Sequence, residues 1–212
     1  MKLSDTIIAS TKYLSGKLPS EFQQKINIIG KYLPDNDLSF INNQRLIESR
    51  KTIAFYGTDH THDFKDCFNA LEDLLSVRSD VLFINIGGTR LPKKISLLPN
   101  VKTFNIKLDY QIYSALIRSI PIYIGLAPLA DLEFNNCKAD TKFVEYTSCN
   151  AVTVTNNYRV YPHALVISTN NDPQNNSKNW FIALEKLLSD EDFWAKHMTI
   201  AKNAVFSRKN ES

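Results

Sequence analysis

Apolar and polar residues alternate in blocks along the chain from residue 51 onward. Short apolar runs predict buried strands at 53–57, 81–88, 100–104, 122–129, 151–155 and 164–168. Amphipathic segments between and after them predict helices at 63–75, 110–119, 138–148, 179–189 and 192–206. Strands that are apolar on both faces and alternate with helices are typical of a parallel sheet covered on both sides. We therefore predict a doubly wound, Rossmann-like α/β domain over residues 51–212.

The first fifty residues follow a different pattern. Two short apolar runs, at 6–10 and 26–30, predict strands on either side of an amphipathic segment, and the turn-rich residues 31–37 follow. Two strands and one helix cannot bury a core of their own. We interpret residues 1–50 as the tail of a preceding domain and a linker into the domain at 51–212.

The loop after the first strand of the α/β domain reads GTDHTHDF. In doubly wound sheets, ligands bind beyond the C-terminal ends of the strands, so this loop is a candidate site. Gly57 permits close approach of the backbone, Thr58 offers a hydroxyl, and Asp63 is placed to cap the next helix. The loop has neither a P-loop nor a GxGxxG spacing. We predict that it faces a phosphate or a sugar.

The same loop carries two histidines among aspartates, which raises the alternative of a metal site. His60 and His62 stand beside Asp59 and Asp63. No further group of ligand residues follows in the sequence to complete a coordination sphere. We therefore favour surface histidines on a capped loop, and we predict no metal.

A second candidate lies on the predicted helix at 138–148. Lys138, Lys142 and Glu145 share one face, near the helix start. A helix N-terminus attracts phosphate, and two lysines there oppose the helix dipole unless an anion such as a diphosphate is bound. Glu145 is suited to accept hydrogen bonds from ribose hydroxyls. The alternative is a solvated helix face with a Lys142–Glu145 ion pair.

Composition narrows the class of protein. The net charge of +3 is small and the charges are mixed along the chain, which argues against a nucleic-acid partner. The three cysteines are widely spaced and form no CxxC pair. No signal peptide and no membrane span is predicted, so we expect a cytoplasmic protein. Only the polar residues from Arg208 to Ser212 are expected to be unstructured.

In the loop after the first strand and in the segment at 127–146, the sequence resembles the group 1 glycosyltransferases of family 4, which have the GT-B fold. APLADLEFNNCKADTKFVEY is similar to the donor-site segment of that family, and IAFYGTDHTHDF resembles the opening strand and loop of its donor domain. The resemblance implies that Glu145 holds the donor ribose. It also implies that Lys138 and Lys142 lie near the diphosphate.

The resemblance implies further roles in the loops. Phe134 and Asn135 belong to the loop that faces the donor sugar, and Gly57 and Thr58 to the loop that faces donor and acceptor. The arginine and lysine common on the first loop and helix are missing, with His60, His62 and Lys65 nearby instead. We include His62 in the predicted donor site.

Two departures from the family matter. Where many members carry the first glutamate of an E-x7-E pattern, this chain has Cys137, and Glu133 is a weak substitute. We therefore assign no catalytic residue. The family's acceptor domain is also represented only by its last strands, so either a longer chain or a separate acceptor-domain chain is expected to supply it.

The resulting expectation is a hexosyltransferase-type enzyme of polysaccharide biosynthesis. It would move a sugar from a nucleotide-diphosphate donor to a glycan or lipid-linked acceptor, with no cofactor besides the donor substrate. The alternative is a non-catalytic nucleotide-sugar-binding module that acts with a partner chain. A nicotinamide dehydrogenase is disfavoured because the GxGxxG spacing is absent.

Overall fold

The computed structural model describes residues 4–30, 51–106 and 109–208. Its strands are β1 Ile7–Ala9, β2 Ile26–Ile28, β3 Lys51–Gly57, β4 Val81–Gly87, β5 Val101–Phe104, β6 Ile122–Leu126, β7 Val152–Thr155 and β8 Leu165–Val166. Its α-helices are α1 Lys12–Ser15, α2 Lys65–Val77, α3 Lys93–Ser96, α4 Tyr110–Ser119, α5 Glu133–Asn136, α6 Thr141–Ser148, α7 Pro173–Ser189 and α8 Glu191–Ser207. A 3₁₀ segment spans Ser20–Lys25.

Six strands form one parallel sheet in the order β5-β4-β3-β6-β7-β8. The side chains of β3 alternate between its two faces. Ile53 and Phe55 pack into the larger core, with α2, α7 and α8, whereas Ala54 and Tyr56 pack into the smaller core, with α4. The predicted doubly wound α/β class is confirmed.

Two helix starts differ from the predictions by three residues or more. The helix predicted from residue 138 begins at Thr141, because the preceding residues form the short α5 and a turn in which the Lys138 N–H donates to the Asn135 carbonyl. The helix predicted from residue 179 begins at Pro173. The carboxylate of Asp172 caps it by accepting from two backbone N–H groups, and proline suits a first helical position.

The chain end also differs from the prediction. Arg208 follows α8 and its guanidinium donates to both carboxylate oxygens of Asp140, at the start of α6. The expectation that the unstructured tail begins at Arg208 is therefore wrong, and the residues beyond 208 lie outside the described part of the chain. Within the described part, no helix is long and apolar enough to cross a lipid bilayer.

The N-terminal segment forms a separate two-stranded sheet in which β1 pairs with β2 in parallel. It contacts the α/β domain through α1 and its cap. The Thr11 hydroxyl donates to the Cys137 carbonyl at 3.1 Å, and the Tyr13 hydroxyl donates to the Glu133 carboxylate at 2.8 Å. The predicted linker falls in residues 31–50, outside the described residues, so the domain boundary at residue 50 stays a prediction.

Candidate functional site

A cleft of about 560 Å³ opens at the carboxyl ends of β3 and β6. Its walls are the loop after β3, the segment between β6 and α6, and the first turn of α6. This is the edge where a doubly wound sheet binds its ligands. A larger groove of about 760 Å³ runs between α2 and α7, but it is lined by helix side chains rather than by strand ends.

Lys142, in the first turn of α6, reaches into the floor of this cleft. Its ammonium lies 3.2 Å from the position that a Cβ atom on Gly57 would occupy and 5.4 Å from the centre of the Phe55 ring. Burial lowers its pKa to about 8, against the attraction of Glu145, which raises it. A lysine held this way at the strand ends is a cation with little water around it, and it gains strongly from an anionic ligand.

Lys138 lies at the rim of the same cleft. Its ammonium stands 5.2 Å from the centre of the Phe134 ring, and that ring is 74% exposed. The two lysines therefore do not run along one helix face as predicted, because Lys138 precedes the helix. Both lysines nevertheless line the same cleft, Lys142 at its floor and Lys138 at its rim.

The carboxylate of Asp63 accepts three hydrogen bonds on the polar side of the cleft. One carboxylate oxygen accepts from the Ala130 N–H and from the Asn135 amide, both at 2.9 Å, and the other pairs with Nδ1 of His60 at 2.7 Å. Burial raises the pKa of Asp63, but these hydrogen bonds outweigh burial and hold it below its ordinary value. Asp63 does not cap α2 as predicted, since its carboxylate is turned into the cleft and the residue before the helix, Phe64, forms no side-chain cap.

The loop after β3 is tied to the neighbouring loop after β4. The His60 N–H donates to the Thr89 hydroxyl at 3.1 Å, and that hydroxyl donates to the Thr58 carbonyl at 3.2 Å. A Cβ atom on Gly87 would lie 1.8 Å from the Gly57 carbonyl oxygen, and Gly87 has φ +113°. Only glycine fits there, and it lets the two loops close on each other. The cleft wall is thus held in place before any ligand arrives.

The structure places the other predicted residues as follows. Thr58 and His62 line the cleft and are exposed. Asn135 also lines it, but it is buried and its amide nitrogen donates to Asp63 and to the Ala130 carbonyl. Glu145 is 7% exposed and is not part of the lining, so the alternative of a solvated helix face is wrong at this residue, and its role at the donor ribose stays a prediction.

Sequence reasoning missed the pair formed by His60 and Asp63. Their spacing of three residues is a signal in the sequence, but the same spacing also fits surface histidines and a helix cap. Tyr161, which is buried and lines the cleft, had no signal because it lies far along the chain in a turn after β7. Within the described residues, no three His, Cys, Asp or Glu side chains cluster as metal ligands.

The structure also places Glu133 and Cys137, the two residues discussed above for the missing first glutamate of the E-x7-E pattern. The carboxylate of Glu133 accepts from the Tyr13 hydroxyl and forms an ion pair with Lys17. Hydrogen bonding from Lys17 lowers the pKa of Glu133, so this group is an ionised link to the N-terminal segment. Cys137 is half-buried beside it and offers its carbonyl to Thr11.

The strand order, the cleft at the carboxyl edge of the sheet and the helices on both of its faces define a known class of fold. The chain has the fold of the C-terminal domain of GT-B glycosyltransferases. The C-terminal domain of a group 1 glycosyl transferase, LpcC from Francisella tularensis, superposes with a TM-score of 0.60 at 13% identity, covering 84% of this chain and 95% of that one.

Longer enzymes match in the same way. WaaG, a glycosyltransferase involved in lipopolysaccharide biosynthesis, gives a TM-score of 0.58 at 16% identity, over 86% of this chain and 52% of that chain. The trehalose-6-phosphate synthase OtsA gives 0.64 at 13% identity, over 96% and 56%. This chain thus spans about half the length of these enzymes. No protein-family model matches the sequence, and no curated protein matches it.

Proposed function

We propose that this chain is the donor-binding half of a glycosyltransferase and that its cleft holds the diphosphate of a nucleotide sugar. The observation that carries the proposal is the ammonium of Lys142, enclosed against Gly57 at the carboxyl end of the central strand β3. The first turn of α6 lines the cleft beside it, where the N–H groups of a helix start favour anions. Lys138 adds a second positive charge at the rim.

This arrangement suits a leaving diphosphate. When the bond between C1 of the sugar and the phosphate oxygen breaks, the electron pair stays on the diphosphate. The acceptor hydroxyl oxygen bonds to C1 and gives its proton to an oxygen of the departing diphosphate. Fixed cations stabilise the growing negative charge because they need no reorganisation as the bond breaks. Lys142 and Lys138 would do this work, with no metal required for it.

The fold supports the same proposal. The pneumococcal O-GlcNAc transferase GtfA, solved in complex with UDP and GlcNAc, has a TM-score of 0.55 to this chain at 14% identity, over 98% of this chain and 44% of that chain. We extend nucleotide-sugar binding from such enzymes to this chain, with a glycan or lipid-linked acceptor. Because this chain matches about half of their length, we propose that an acceptor domain completes the active enzyme.

Calorimetric titration with UDP-glucose, GDP-mannose and ADP-glucose tests donor binding. We expect one of them to bind, and Lys142→Met to weaken that binding roughly 10- to 100-fold, as the loss of a hydrogen bond to a charged group does. Lys196→Met, an exposed lysine on α8, is the matched control and should bind like the wild type. Failure of all three donors, or unchanged affinity in Lys142→Met, would refute the proposal.

Transfer itself is a separate measurement. Release of nucleoside diphosphate from the bound donor, with and without an added acceptor-domain chain, distinguishes an enzyme from a binding module. We expect release that depends on the acceptor side. Binding without release in either case would support the non-catalytic alternative.

A further inference from the structure

His60 and Asp63 form a nearly enclosed pair on the wall of the cleft, with side chains 12% and 10% exposed. The carboxylate of Asp63 is fixed by two further donors, the Ala130 N–H and the Asn135 amide. An ionised carboxylate can only accept, so Nδ1 of His60 must carry the hydrogen of their 2.7 Å bond. Nε2 is then the ring nitrogen that meets a ligand.

The orientation of the imidazole is set by packing as well. Its ring meets the Phe55 ring edge-on, with the centroids 5.6 Å apart. Its Cδ2 atom, which is bonded to Nε2, lies 3.3 Å from the position of a Cβ atom on Gly57, and the ammonium of Lys142 lies 3.2 Å from that same point. The imidazole edge and the ammonium therefore border one gap, which glycine leaves open.

The groups around His60 carry charges of both signs. The charged and titratable groups facing the same cleft are Asp59, Asp63 and His62 from its own loop, Lys138 from the segment before α6, Lys142 from the first turn of α6, and Tyr161 from the segment after β7. A diphosphate in the gap would add negative charge next to Nε2, and a negative charge there favours an imidazolium in the complex.

We propose that His60 is a further catalytic residue of the donor site, which takes up a proton as the diphosphate enters and donates its Nε2–H to a phosphate oxygen. This inference rests on the proposed function. Asp63 is the positioning residue, because it holds Nδ1–H and thereby presents Nε2 to the gap. As the sugar leaves, this hydrogen bond strengthens on the oxygen that keeps the electron pair. Recognition is thus by one imidazolium and two ammonium groups, converging on a diphosphate diester.

The test is the pH dependence of donor affinity. A nucleotide-sugar diphosphate has no ionisable phosphate hydroxyl between pH 5.5 and 9, so a change of affinity in this range belongs to the protein. Affinity for the donor identified among UDP-glucose, GDP-mannose and ADP-glucose is measured in the wild type, in His60→Gln and in His163→Gln, whose histidine is exposed and does not line the cleft. Glutamine keeps a neutral N–H donor, so His60→Gln removes the titratable charge with little loss of volume.

The wild type should bind about fourfold more tightly at pH 6 than at pH 7.5, and His163→Gln should keep this step. His60→Gln should lack it and retain only the fall in affinity near pH 8 that comes from Lys142. Imidazole ¹⁵N spectra, assigned with the two variants, should show the pKa of His60 rising by about one unit in the donor complex, as a fourfold step over this pH range requires.

The outcomes separate the two proposals. Donor binding with the same pH profile in the wild type and His60→Gln, or a His60 pKa that the donor leaves unchanged, would overturn the role of His60 while the lysine site stands. Absence of donor binding to the wild type at every pH would overturn the proposed function together with it. Asp63→Asn removes the negative charge beside the imidazole and should move the same step to lower pH. A step that does not move would contradict the positioning role of Asp63.

Discussion

A Cβ atom on Gly125 would lie 2.2 Å from Cγ of Tyr146. The tyrosine ring thus rests directly on the backbone of β6, and its hydroxyl lies 3.1 Å from the Ala54 carbonyl of β3 and 3.0 Å from the Leu126 carbonyl of β6. This contact seats α6 over the junction of two central strands. It therefore sets where Lys142, one turn earlier on α6, enters the cleft.

Gly125→Ala should destabilise the fold. The new methyl group would overlap a fully buried ring close to its attachment point, where the ring cannot swing aside, so we expect a loss of about 1–3 kcal/mol in the free energy of unfolding. Urea denaturation followed by circular dichroism measures it.

Tyr146→Phe is the matched control for that contact, since it keeps the ring and removes the hydroxyl. It should cost about 0.5–1.5 kcal/mol. It should not rescue Gly125→Ala, because the overlap is with the ring. A double variant as stable as Tyr146→Phe alone would contradict this account of the contact.

Lys142→Met should raise stability below pH 8. The pKa of Lys142 is about 8 in the folded protein and near 10.5 when unfolded, so between these values the unfolded chain binds more protons. The stability of the wild type therefore rises with pH across this window, and at pH 7 the charged, half-buried lysine lowers it. We expect the variant to be more stable at pH 7 by up to about 3 kcal/mol.

That advantage should shrink between pH 8 and pH 10.5, which denaturation curves at several pH values can follow. Other groups that titrate in this range are common to both proteins and cancel in the difference. An advantage that does not depend on pH would show that Lys142 is not held in the poorly solvated position described. Higher stability with weaker donor binding is the expected signature of a functional lysine.

Gly57→Ala should weaken donor binding and also lower stability. Its Cβ atom would lie 3.2 Å from the ammonium of Lys142 and 3.3 Å from Cδ2 of His60, which is tighter than an ordinary contact. Gly57 also has φ +159°, which strains an alanine, so we expect a loss of about 1–3 kcal/mol in the free energy of unfolding. The gap between the two side chains would be filled, and we expect donor affinity to fall about tenfold. Unchanged affinity would place the diphosphate elsewhere.

Asp140 and Arg208 should behave as a coupled pair. Asp140→Asn and Arg208→Gln each remove one partner from a largely enclosed pair, with side chains 14% and 22% exposed, and should each cost about 1–3 kcal/mol. In a double-mutant cycle we expect a coupling of about 0.5–2 kcal/mol. Additive losses would mean that the pair does not anchor α8 to the start of α6.

The sequence by itself determined the architecture. The apolar runs of β3, β4 and β7 are buried in the parallel sheet, as their apolar character predicts. The helical spacing of apolar residues in α7 and α8 likewise predicts which faces of these helices point inward. Local pattern and tertiary burial therefore agree. The candidate edge followed from the rule that parallel strands end together. Lys138 and Lys142 could be chosen from their position after β6 for the same reason.

Only the tertiary structure decided how the site is built. The carboxylate of Asp63 has two possible roles, to cap α2 or to accept hydrogen bonds from Ala130, Asn135 and His60. The second role is realised because the fold brings residues about seventy positions away next to it. Likewise, whether Lys142 is solvated or enclosed depends on the Gly57 end of β3 across the cleft. Charge, burial and protonation at this edge arise from distant segments brought together, which local sequence does not encode.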